Sequence, residues 1–290
     1  RRYYTFYDVD TDRYSIDGVQ RQVMLSAREL DLAGNPNATG WVNQRVIYTH
    51  GTGVTMVPVN DVANEGQPRL FIKNLPPVSS DGAPDVTQPA IYFGEAPSDY
   101  IVVGAKQSEF DYPRGSDESG TNDAAAAVET RWNGTTGIPL GTTLDRLLFA
   151  ARFGDLDLLI SDQVTRDSKV LFHRTLTDRL QLLAPFLTFD KDPYVVIDES
   201  GRLVYVQDAY TTSNRFPHAQ AFAPADLGAG SGLGRAPFNY IRNSVKITMD
   251  AYDGTMQFYI ADPSDPIVRA YAAVFPSLFR SIDTIPSDLR

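Results

Sequence analysis

The sequence predicts an α+β fold with a substantial antiparallel sheet and a few packed helices. Three observations favour it: short β-branched and aromatic runs bounded by turn residues, two amphipathic stretches in the middle of the chain, and 29 Asp against 7 Glu. Asp is a poor interior helix former and a common turn residue, so its excess indicates many turns between strands. Strand groups on both sides of a helical middle are typical of α+β domains. We expect residues 1–290 to form one soluble body.

The N-terminal half contains several predicted strands. Residues 5–32 mix polar and aromatic side chains around the apolar run Val23-Met24-Leu25. The runs 90–93 (AIYF) and 100–103 (YIVV) are β-branched and aromatic, with Gly, Pro and Asp on their flanks. This composition predicts short strands that are bounded by turns.

Two helices are predicted in the middle of the chain. The first buries the stripe Leu144, Leu147, Leu148 and Ala151, which follows the i, i+3, i+4, i+7 spacing, and Thr142 or Thr143 is its N-cap. The second begins near Ser168, places on one stripe Phe172, Leu176, Leu180 and Leu183, and ends before Pro185. His173 is expected on the surface or boundary of this second helix.

Two hairpins are predicted in the C-terminal half. A two-residue turn at Asp253-Gly254 pairs residues whose numbers sum to 507, so that Ile247 faces Ile260 and Met249 faces Phe258. The other face of this hairpin then carries Lys246, Thr248, Asp250, Gln257 and Tyr259. A second hairpin at Ser200-Gly201 pairs Ile197 with Val204 and Val195 with Val206. Its alternate positions are also apolar, which predicts burial on both faces.

The composition excludes several classes of function. The formal net charge of -10 disfavours binding to nucleic acid or to an anionic lipid surface. The absence of cysteine excludes thiol catalysis, disulfides and iron-sulfur clusters, and three histidines make an ordinary structural zinc site improbable. No stretch reaches the roughly 18 apolar residues of a membrane-spanning helix. Residues 76–89, 114–137 and 224–237 are rich in Gly, Pro, Ser and Asp, which predicts flexible loops.

Four residues are candidates for acid-base chemistry. His50 lies between a predicted strand and the Gly-rich turn at 51–53, where an imidazole can be exposed. Glu109 and Asp111 are two residues apart, and paired carboxylates divide the acid and nucleophile roles in glycosidases. Glu95 is the fourth candidate. The alternative, which we favour, is that His50, Glu109 and Asp111 are turn and rim residues that bind nearby backbone groups.

Candidates for metal and ligand binding are also present. Asp8, Asp10 and Asp12 alternate like the start of a calcium loop, although spacing of two also places three acids on one exposed strand face. We predict no cofactor, and calcium remains an alternative. Tyr210, Asn239 and Arg242 lie in clusters of aromatic and hydrogen-bonding residues that suit a carbohydrate or peptide surface. Arg242 has a structural alternative, a buried ion pair with an Asp such as Asp208 or Asp250.

Nine segments in matching order resemble uncharacterised protein family 0182. They are 12–18 (DRYSIDG), 22–30 (QVMLSAREL), 48–51 (YTHG), 92–95 (YFGE), 109–113 (EFDYP), 184–187 (APFL), 208–213 (DAYTTS), 239–246 (NYIRNSVK) and 250–254 (DAYDG). The resemblance implies a bacterial multi-pass membrane protein with a large soluble extracytoplasmic region, of which this chain is the first part. It implies no catalytic residues.

We therefore expect an extracytoplasmic, acidic domain of a cell-envelope membrane protein that acts as a binding or assembly module. The expected partners are an envelope component, a partner protein or a second copy, with membrane attachment through segments outside this chain. The first alternative is a hydrolase-like enzyme that acts on cell-wall glycans or lipids. The second is a calcium-stabilised structural domain.

Overall fold

A computed structural model describes residues 3–62, 66–80, 82–114, 127–222, 233 and 237–289. Its backbone contacts divide the chain into two units. Unit 1 contains Arg1–Leu176 and Ala251–Gly254, and unit 2 contains Thr177–Asp250 and Thr255–Arg290. Helices occur together with mostly antiparallel sheets, which confirms the α+β class. The single body expected from the sequence stays a prediction.

Unit 1 is built on a six-stranded antiparallel sheet with the order β1-β3-β5-β6-β7, in which β2 also pairs with β3. These strands are β1 (Tyr4–Phe6), β2 (Asp10–Ile16), β3 (Val19–Leu30), β5 (Val54–Pro58), β6 (Ile72–Lys73) and β7 (Val78–Ser79). Asp17-Gly18 forms a two-residue turn between β2 and β3, with φ of 50° and 73° and with Ile16 opposite Val19. Positive φ at both positions is what such a hairpin turn requires, and Asp-Gly meets that requirement.

Three smaller sheets complete the strands of unit 1, with the orders β4-β8, β10-β11 and β12-β13-β9. Their strands are β4 (Gly51–Thr52), β8 (Ala90–Ile91), β9 (Ile101–Val103), β10 (Glu109–Pro113), β11 (Ala127–Thr130), β12 (Ile138–Pro139) and β13 (Lys169–Leu171). The strands predicted in 90–93 and 100–103 correspond to β8 and β9. A short π-helix (Asn43–Ile47) and helices α1 (Thr143–Phe153) and α2 (Asp157–Ile160) are the helical elements that lie wholly within the described part of unit 1.

Helix α1 forms where the sequence predicts it, and Thr142 is the N-cap. The Thr142 side chain accepts the Asp145 N–H at 3.1 Å, while the Asp145 carboxylate accepts the Thr142 N–H at 3.1 Å. This reciprocal capping box satisfies two backbone donors at the helix start. Gly154 ends the helix in the left-handed conformation.

The buried face of α1 differs from the predicted one. Leu144, Leu147 and Leu148 are 63%, 48% and 59% exposed, and Ala151 is exposed too. The helix instead buries Ala150 and turns its aromatic residues toward the core. Aromatic rings bury more area than leucine, and here they stack on neighbouring rings. The Phe153 ring lies 4.3 Å from that of Tyr100, and Phe149 and Phe153 both contact Phe172.

The second predicted helix begins later than expected. Residues near Ser168 form strand β13, in which Val170 pairs with Val102 of β9, and helix α3 spans Leu176–Leu183. His173 has a φ of 49° and lies between these elements, so the prediction that it belongs to the helix is wrong. Of the predicted stripe, Leu176 and Leu180 are buried and Leu183 is exposed. The helix ends before Pro185, as predicted.

Unit 2 is built on a six-stranded sheet with the order β14-β16-β17-β18-β19, in which β15 also pairs with β16. All pairs are antiparallel except β18 with β19. The strands are β14 (Thr188–Phe189), β15 (Tyr194–Ile197), β16 (Leu203–Ser213), β17 (Tyr240–Asp250), β18 (Met256–Ile260) and β19 (Phe279–Ser281). Helix α4 (Pro266–Val274) connects β18 to β19, and two 3-10 turns follow at Ile282–Thr284 and Ser287–Leu289.

Both predicted hairpins form in a different register. Strands β17 and β18 pair Ile247 with Phe258 and Met249 with Met256, two residues away from the prediction. A shift of two keeps each side chain on its face, so Ile247, Met249 and Phe258 are buried as expected. The opposite face is also partly buried, because Thr248 and Tyr259 are buried.

Five residues (251–255) connect β17 to β18, where a two-residue turn was predicted. The Ala251 carbonyl accepts the N–H groups of Tyr92 and Phe93, both at 2.9 Å. Gly254 has a φ of 70°, and a Cβ there would lie 2.7 Å from the Phe93 ring. Contacts within unit 1 therefore determine the conformation of this connection, and the Asp-Gly dipeptide does not close the hairpin alone.

The hairpin at Gly201 is shifted by one residue from the prediction, with Val196 opposite Val204 and Val195 opposite Tyr205. The Asp198 carboxylate accepts the N–H groups of Ser200 and Arg202 at 2.9 Å each, which lengthens the turn. Burial on both faces is confirmed, since every residue of 195–197 and 203–206 is buried.

The three predicted loops are only partly described. Residues 76–89 include strand β7. Residues 114–137 include strand β11, and 115–126 lie outside the described residues. Of 224–237, the structure describes Leu233 and Pro237 alone, so the prediction for that loop lies outside the described residues.

Candidate functional site

Unit 1 brings together three of the four residues predicted for acid-base chemistry. His50 precedes β4, and Glu109 and Asp111 belong to β10. The imidazole lies between the two carboxylates: Nδ1 is 3.7 Å from Glu109 Oε2, and Nε2 is 3.6 Å from Asp111 Oδ1. The register of β10 against β11 shifts between Phe110 and Tyr112, which leaves Asp111 in a bulge. Such bulges redirect side chains, and here both carboxylates reach one imidazole.

Hydroxyl and backbone donors complete the surroundings of Glu109. The hydroxyls of Thr49 and Tyr92 donate to Glu109 Oε2 at 2.5 Å and 2.8 Å, and the Trp132 N–H donates to Oε1 at 3.0 Å. The Tyr92 ring stacks on the His50 ring with centroids 4.6 Å apart. These contacts hold the carboxylate and the imidazole in fixed positions.

The electrostatic interactions in this cluster outweigh the cost of burial. Burial lowers the pKa of His50, but the adjacent carboxylates of Asp111 and Glu109 raise it by more, so the pKa lies above its ordinary value. Burial raises the pKa of Glu109. His50, the Thr49 hydroxyl and the Trp132 N–H lower it by more, so the pKa lies below its ordinary value. Both shifts favour an imidazolium between carboxylates.

Arg174 is a second buried charge nearby, and the sequence analysis did not single it out. Its guanidinium donates to the backbone carbonyls of Tyr92 at 2.7 Å, Thr49 at 2.5 Å and Asp99 at 3.3 Å. Burial lowers the pKa of Arg174 to about 10, so it stays a cation at neutral pH. The sequence does not indicate that Arg174 is buried, because its hydrogen-bond partners are backbone carbonyls that are distant along the chain.

Two of the three side chains in this cluster are closed to solvent. The side chains of His50 and Glu109 are 0% and 3% exposed, so the predictions of an exposed turn histidine and a rim glutamate are wrong, whereas the Asp111 side chain is 19% exposed. A general acid or base must lie within hydrogen-bonding distance of its substrate. The role of these three residues in hydrolase chemistry stays a prediction.

Glu95, the fourth acid-base candidate, lies on a loop that Glu29 of β3 positions. The Glu29 carboxylate accepts the Glu95 N–H at 2.8 Å and the Ala96 N–H at 2.9 Å. The role of Glu95 in chemistry stays a prediction.

The three aspartates that are predicted to bind calcium differ in their exposure. Asp8 is exposed, Asp10 is buried, and Asp12 is half-buried, with Asp10 and Asp12 in β2. Across the described residues, no group of three or more His, Asp or Glu side chains is arranged to hold a metal ion. Calcium binding at these three positions stays a prediction.

The ligand-binding candidates all lie in unit 2, and each contacts nearby protein groups. The Tyr210 hydroxyl donates to Asp190 at 2.9 Å, and burial with this contact raises the pKa of Tyr210 to about 12. Asn239 accepts the Phe216 N–H and donates to the Phe216 carbonyl, both at 2.9 Å. Arg242 donates to Asp262 at 2.9 Å.

The predicted ion pair of Arg242 with Asp208 or Asp250 is wrong. Arg242 lies opposite Thr211 on β16, and its side chain is 41% exposed, which places the pair with Asp262 near the surface. Lys246 and Arg202 are the partners of Asp208 and Asp250, at 2.6 Å in each case. The register of β17 decides this pairing, and sequence spacing alone does not reveal it.

Five large apolar side chains on α1 and on the segment 156–160 of unit 1 are exposed. We call this set the leucine face and define it by Leu144, Leu147, Leu148, Leu156 and Ile160. Leu156 and Ile160 of the α2 segment are 69% and 73% exposed, among the highest values for large apolar residues in the described chain. Leu144, Leu147 and Leu148 follow the i, i+3, i+4 spacing and therefore lie on one face of α1, and exposed apolar patches on soluble proteins mark interaction sites.

No helix among the described residues is both long enough and apolar enough to cross a membrane.

Comparison with known proteins identifies relatives along the whole chain. The profile of a family described as "Uncharacterised protein family (UPF0182)" matches residues 1–290. Curated relatives named "UPF0182 protein" include those from Alkaliphilus metalliredigens, Cupriavidus necator and Pelobacter propionicus, which are 45%, 44% and 43% identical. Each alignment covers 100% of this chain but only 29% or 30% of the relative. No solved structure matches the chain.

Proposed function

Because the chain belongs to uncharacterised protein family UPF0182 and spans about 30% of its curated relatives, we propose that it is an assembly module within a longer polypeptide. The leucine face carries this proposal. Its occupant is the part of the same polypeptide that lies outside these 290 residues. Covering a leucine that is half exposed contributes about 1 kcal/mol, so five such residues provide enough free energy for a stable intramolecular contact.

The character of the leucine face favours a protein segment over a lipid surface. Its five defining side chains carry no charge, and the segment 144–160 that contains them has three acidic residues against two basic ones, Arg146 and Arg152. With a net charge of -10, the chain is repelled by anionic lipids. A linked segment also binds at a high effective concentration, which lowers the affinity that the contact needs.

We also propose that the module lies on the extracytoplasmic side of a multi-pass cell-envelope protein. The support is the family resemblance of the nine sequence segments. Protease treatment of intact spheroplasts that express the full-length protein tests it. Cleavage within this module without lysis is expected, and protection until the membrane is permeabilised would contradict the location.

Cysteine labelling tests the assembly proposal, since the chain has no native cysteine. The variants are Leu148→Cys and, as a matched control outside the leucine face, Val19→Cys, at positions that are 59% and 54% exposed. In the isolated 290-residue chain both should react with maleimide at similar rates. In the full-length protein Leu148→Cys should react at least about tenfold more slowly, because burial removes thiol access, while Val19→Cys is unchanged.

If the leucine face binds a second copy of the chain or a membrane instead, labelling of the isolated chain gives a different result. Protection of Leu148→Cys that grows with protein concentration, together with a dimer in light scattering, would indicate a second copy. Protection by neutral phosphatidylcholine vesicles would indicate a membrane. Either result, or equal labelling in the chain and the full-length protein, overturns the proposal. Peptide-level mass spectrometry separates the engineered cysteine from any cysteine elsewhere in the full-length protein.

A further inference from the structure

Unit 2 contains a cavity of about 610 Å³ beside helix α3. Residues from α3, from the segment 185–191 that includes β14, and from the end of β16 line it. The volume lies within the range of about 300–1,000 Å³ that is typical of small-molecule sites. Nothing in the preceding proposal uses this cavity, because the leucine face belongs to unit 1.

The polar lining is rich in groups that bind hydroxyls. The polar residues that line the cavity are Gln181, Asn214, Lys191, Thr188, Thr212 and Ser213. Throughout the described ranges, Gln181, Lys191 and Asn214 make no side-chain hydrogen bond or ion pair. Amides both donate and accept, and the ammonium group donates three hydrogen bonds, so these side chains are free to bind a polar ligand.

Among the aromatic rings of the lining, Phe189 is the one with no ring partner in the described part of the chain. Phe186 already packs on Tyr271 and Phe275, with centroids 4.4 Å and 5.1 Å apart, and Phe238 packs on Phe222 at 5.8 Å. Phe189 is half-buried on β14 and therefore presents part of its surface. Together the lining offers an aromatic surface beside several hydrogen-bonding groups.

We propose that this cavity binds an oligosaccharide. A pyranose ring has apolar C–H faces that stack on an aromatic ring and a rim of hydroxyls that need donors and acceptors. Phe189 meets the first requirement, and Gln181, Asn214 and Lys191 meet the second. The inference concerns binding alone: Asp190, the one carboxylate among the described lining residues, accepts hydrogen bonds from Tyr210 and from the Asp192 N–H.

Titration of the 290-residue chain with three sugars tests the inference. The probes are chitotetraose, cellotetraose and maltotetraose at up to millimolar concentration, and the readouts are calorimetry and amide chemical shifts. Saturable binding of at least one sugar is expected, with shifts at residues 181–191 and 212–214. A panel without saturable binding overturns the inference, and so does binding that shifts other regions only.

Variants of Phe189 identify the stacking ring. Phe189→Ala should weaken sugar binding by about tenfold or more, which corresponds to about 1.4 kcal/mol, while Phe189→Tyr should retain it. Phe216→Ala is the matched control, because Phe216 is 50% exposed in unit 2 and does not line the cavity. Equal affinity for Phe189→Ala and the wild type overturns the inference.

A variant of a polar lining residue keeps the inference testable if Phe189→Ala does not fold. If Phe189→Ala loses its circular dichroism spectrum, Gln181→Ala replaces it, and weaker sugar binding is again expected. Tetra-alanine provides the peptide comparison, and binding of this peptide with no binding of sugars would also overturn the inference. A negative result in any of these sugar-binding experiments does not change the cysteine labelling result at Leu148. The sugar-binding proposal and the assembly proposal are therefore distinguishable.

Discussion

The Nε2 atom of His50 lies 3.6 Å from Oδ1 of Asp111, a residue in the bulge of β10. Glu109 contacts the opposite nitrogen, so one imidazole joins two carboxylates of the same strand. Because the His50 side chain is fully buried, protonation of this group is coupled to folding.

The first prediction concerns the pH dependence of stability. The folded-state pKa of His50 is raised above its ordinary value of about 6.5. Its stabilising contribution is therefore fully present below about pH 6.5 and is lost as the pH rises through the raised folded-state pKa. The free energy of unfolding should fall over that window by at most about 1.4 kcal/mol per pH unit.

Urea unfolding at a series of pH values measures this effect. The variant His50→Gln should be less stable at neutral pH and should lack the decline. Tyr92→Phe is the control, because it removes one hydrogen bond to Glu109 and leaves the imidazole between the carboxylates. A wild-type protein whose stability rises from neutral to mildly alkaline pH would contradict the prediction.

The second prediction concerns the N-cap of α1. Thr142→Ala should lower the free energy of unfolding by about 1 kcal/mol, because it removes the acceptor for the Asp145 N–H. Thr143→Ala, at the first helical position, should change stability by less than about 0.5 kcal/mol. Chemical denaturation of the two variants compares neighbouring threonines, and the reverse order would show that the capping box does not form.

The third prediction concerns Asp265, the buried N-cap of α4. Its carboxylate accepts hydrogen bonds from Ser244 at 2.5 Å, Tyr240 at 2.6 Å and the Ile267 N–H at 3.0 Å, and also from Thr211. Asp265→Ala leaves these donors unpaired and should cost at least about 3 kcal/mol. Asp265→Asn should cost less, because it keeps one acceptor oxygen.

Asp262→Ala is the surface comparison for Asp265. Asp262 pairs with Arg242 where both side chains are about a third or more exposed, so the loss should be about 1 kcal/mol or less. Thermal unfolding followed by circular dichroism gives the order of the three variants. Equal losses at positions 262 and 265 would contradict the role of Asp265 as a buried acceptor.

The fourth prediction separates exposed from buried leucines. Leu148→Ala, in the leucine face, should change the stability of the isolated chain by less than about 0.5 kcal/mol. Leu158→Ala should cost about 2–5 kcal/mol, because Leu158 is completely buried within the core of unit 1. Denaturation midpoints measure both, and a large loss at Leu148 would mean that the leucine face is covered in the isolated chain.

Local chemistry in the sequence is enough to predict several elements. Thr142 and Asp145 have the spacing of a capping box, and the helix begins there. The apolar runs at 195–197 and 203–206 predict a doubly buried hairpin, which is observed. The spacing of Glu109 and Asp111 and the position of His50 marked three residues that meet, although it did not indicate that they are buried.

Tertiary contacts decide what local patterns leave open. Asp17-Gly18 closes a two-residue turn, whereas Asp253-Gly254 is part of a five-residue connection in which the Ala251 carbonyl accepts the N–H groups of Tyr92 and Phe93. The same dipeptide thus gives two results, since distant backbone groups compete with its turn preference. The length of the connection sets the register of the two strands that it joins. The register of β17 in turn sets which Asp pairs with Arg242.

The sequence by itself determined the α+β class, the position of α1, the apolar strands and the membership in the family. Only the tertiary structure decided which face of α1 is buried, because aromatic rings on that helix find stacking partners on Tyr100 and Phe172 and leave the leucines exposed. It also decided that the side chains of His50 and Glu109 are buried. Burial and pairing depend on residues that are far apart along the chain, and a local pattern carries no information about those distances.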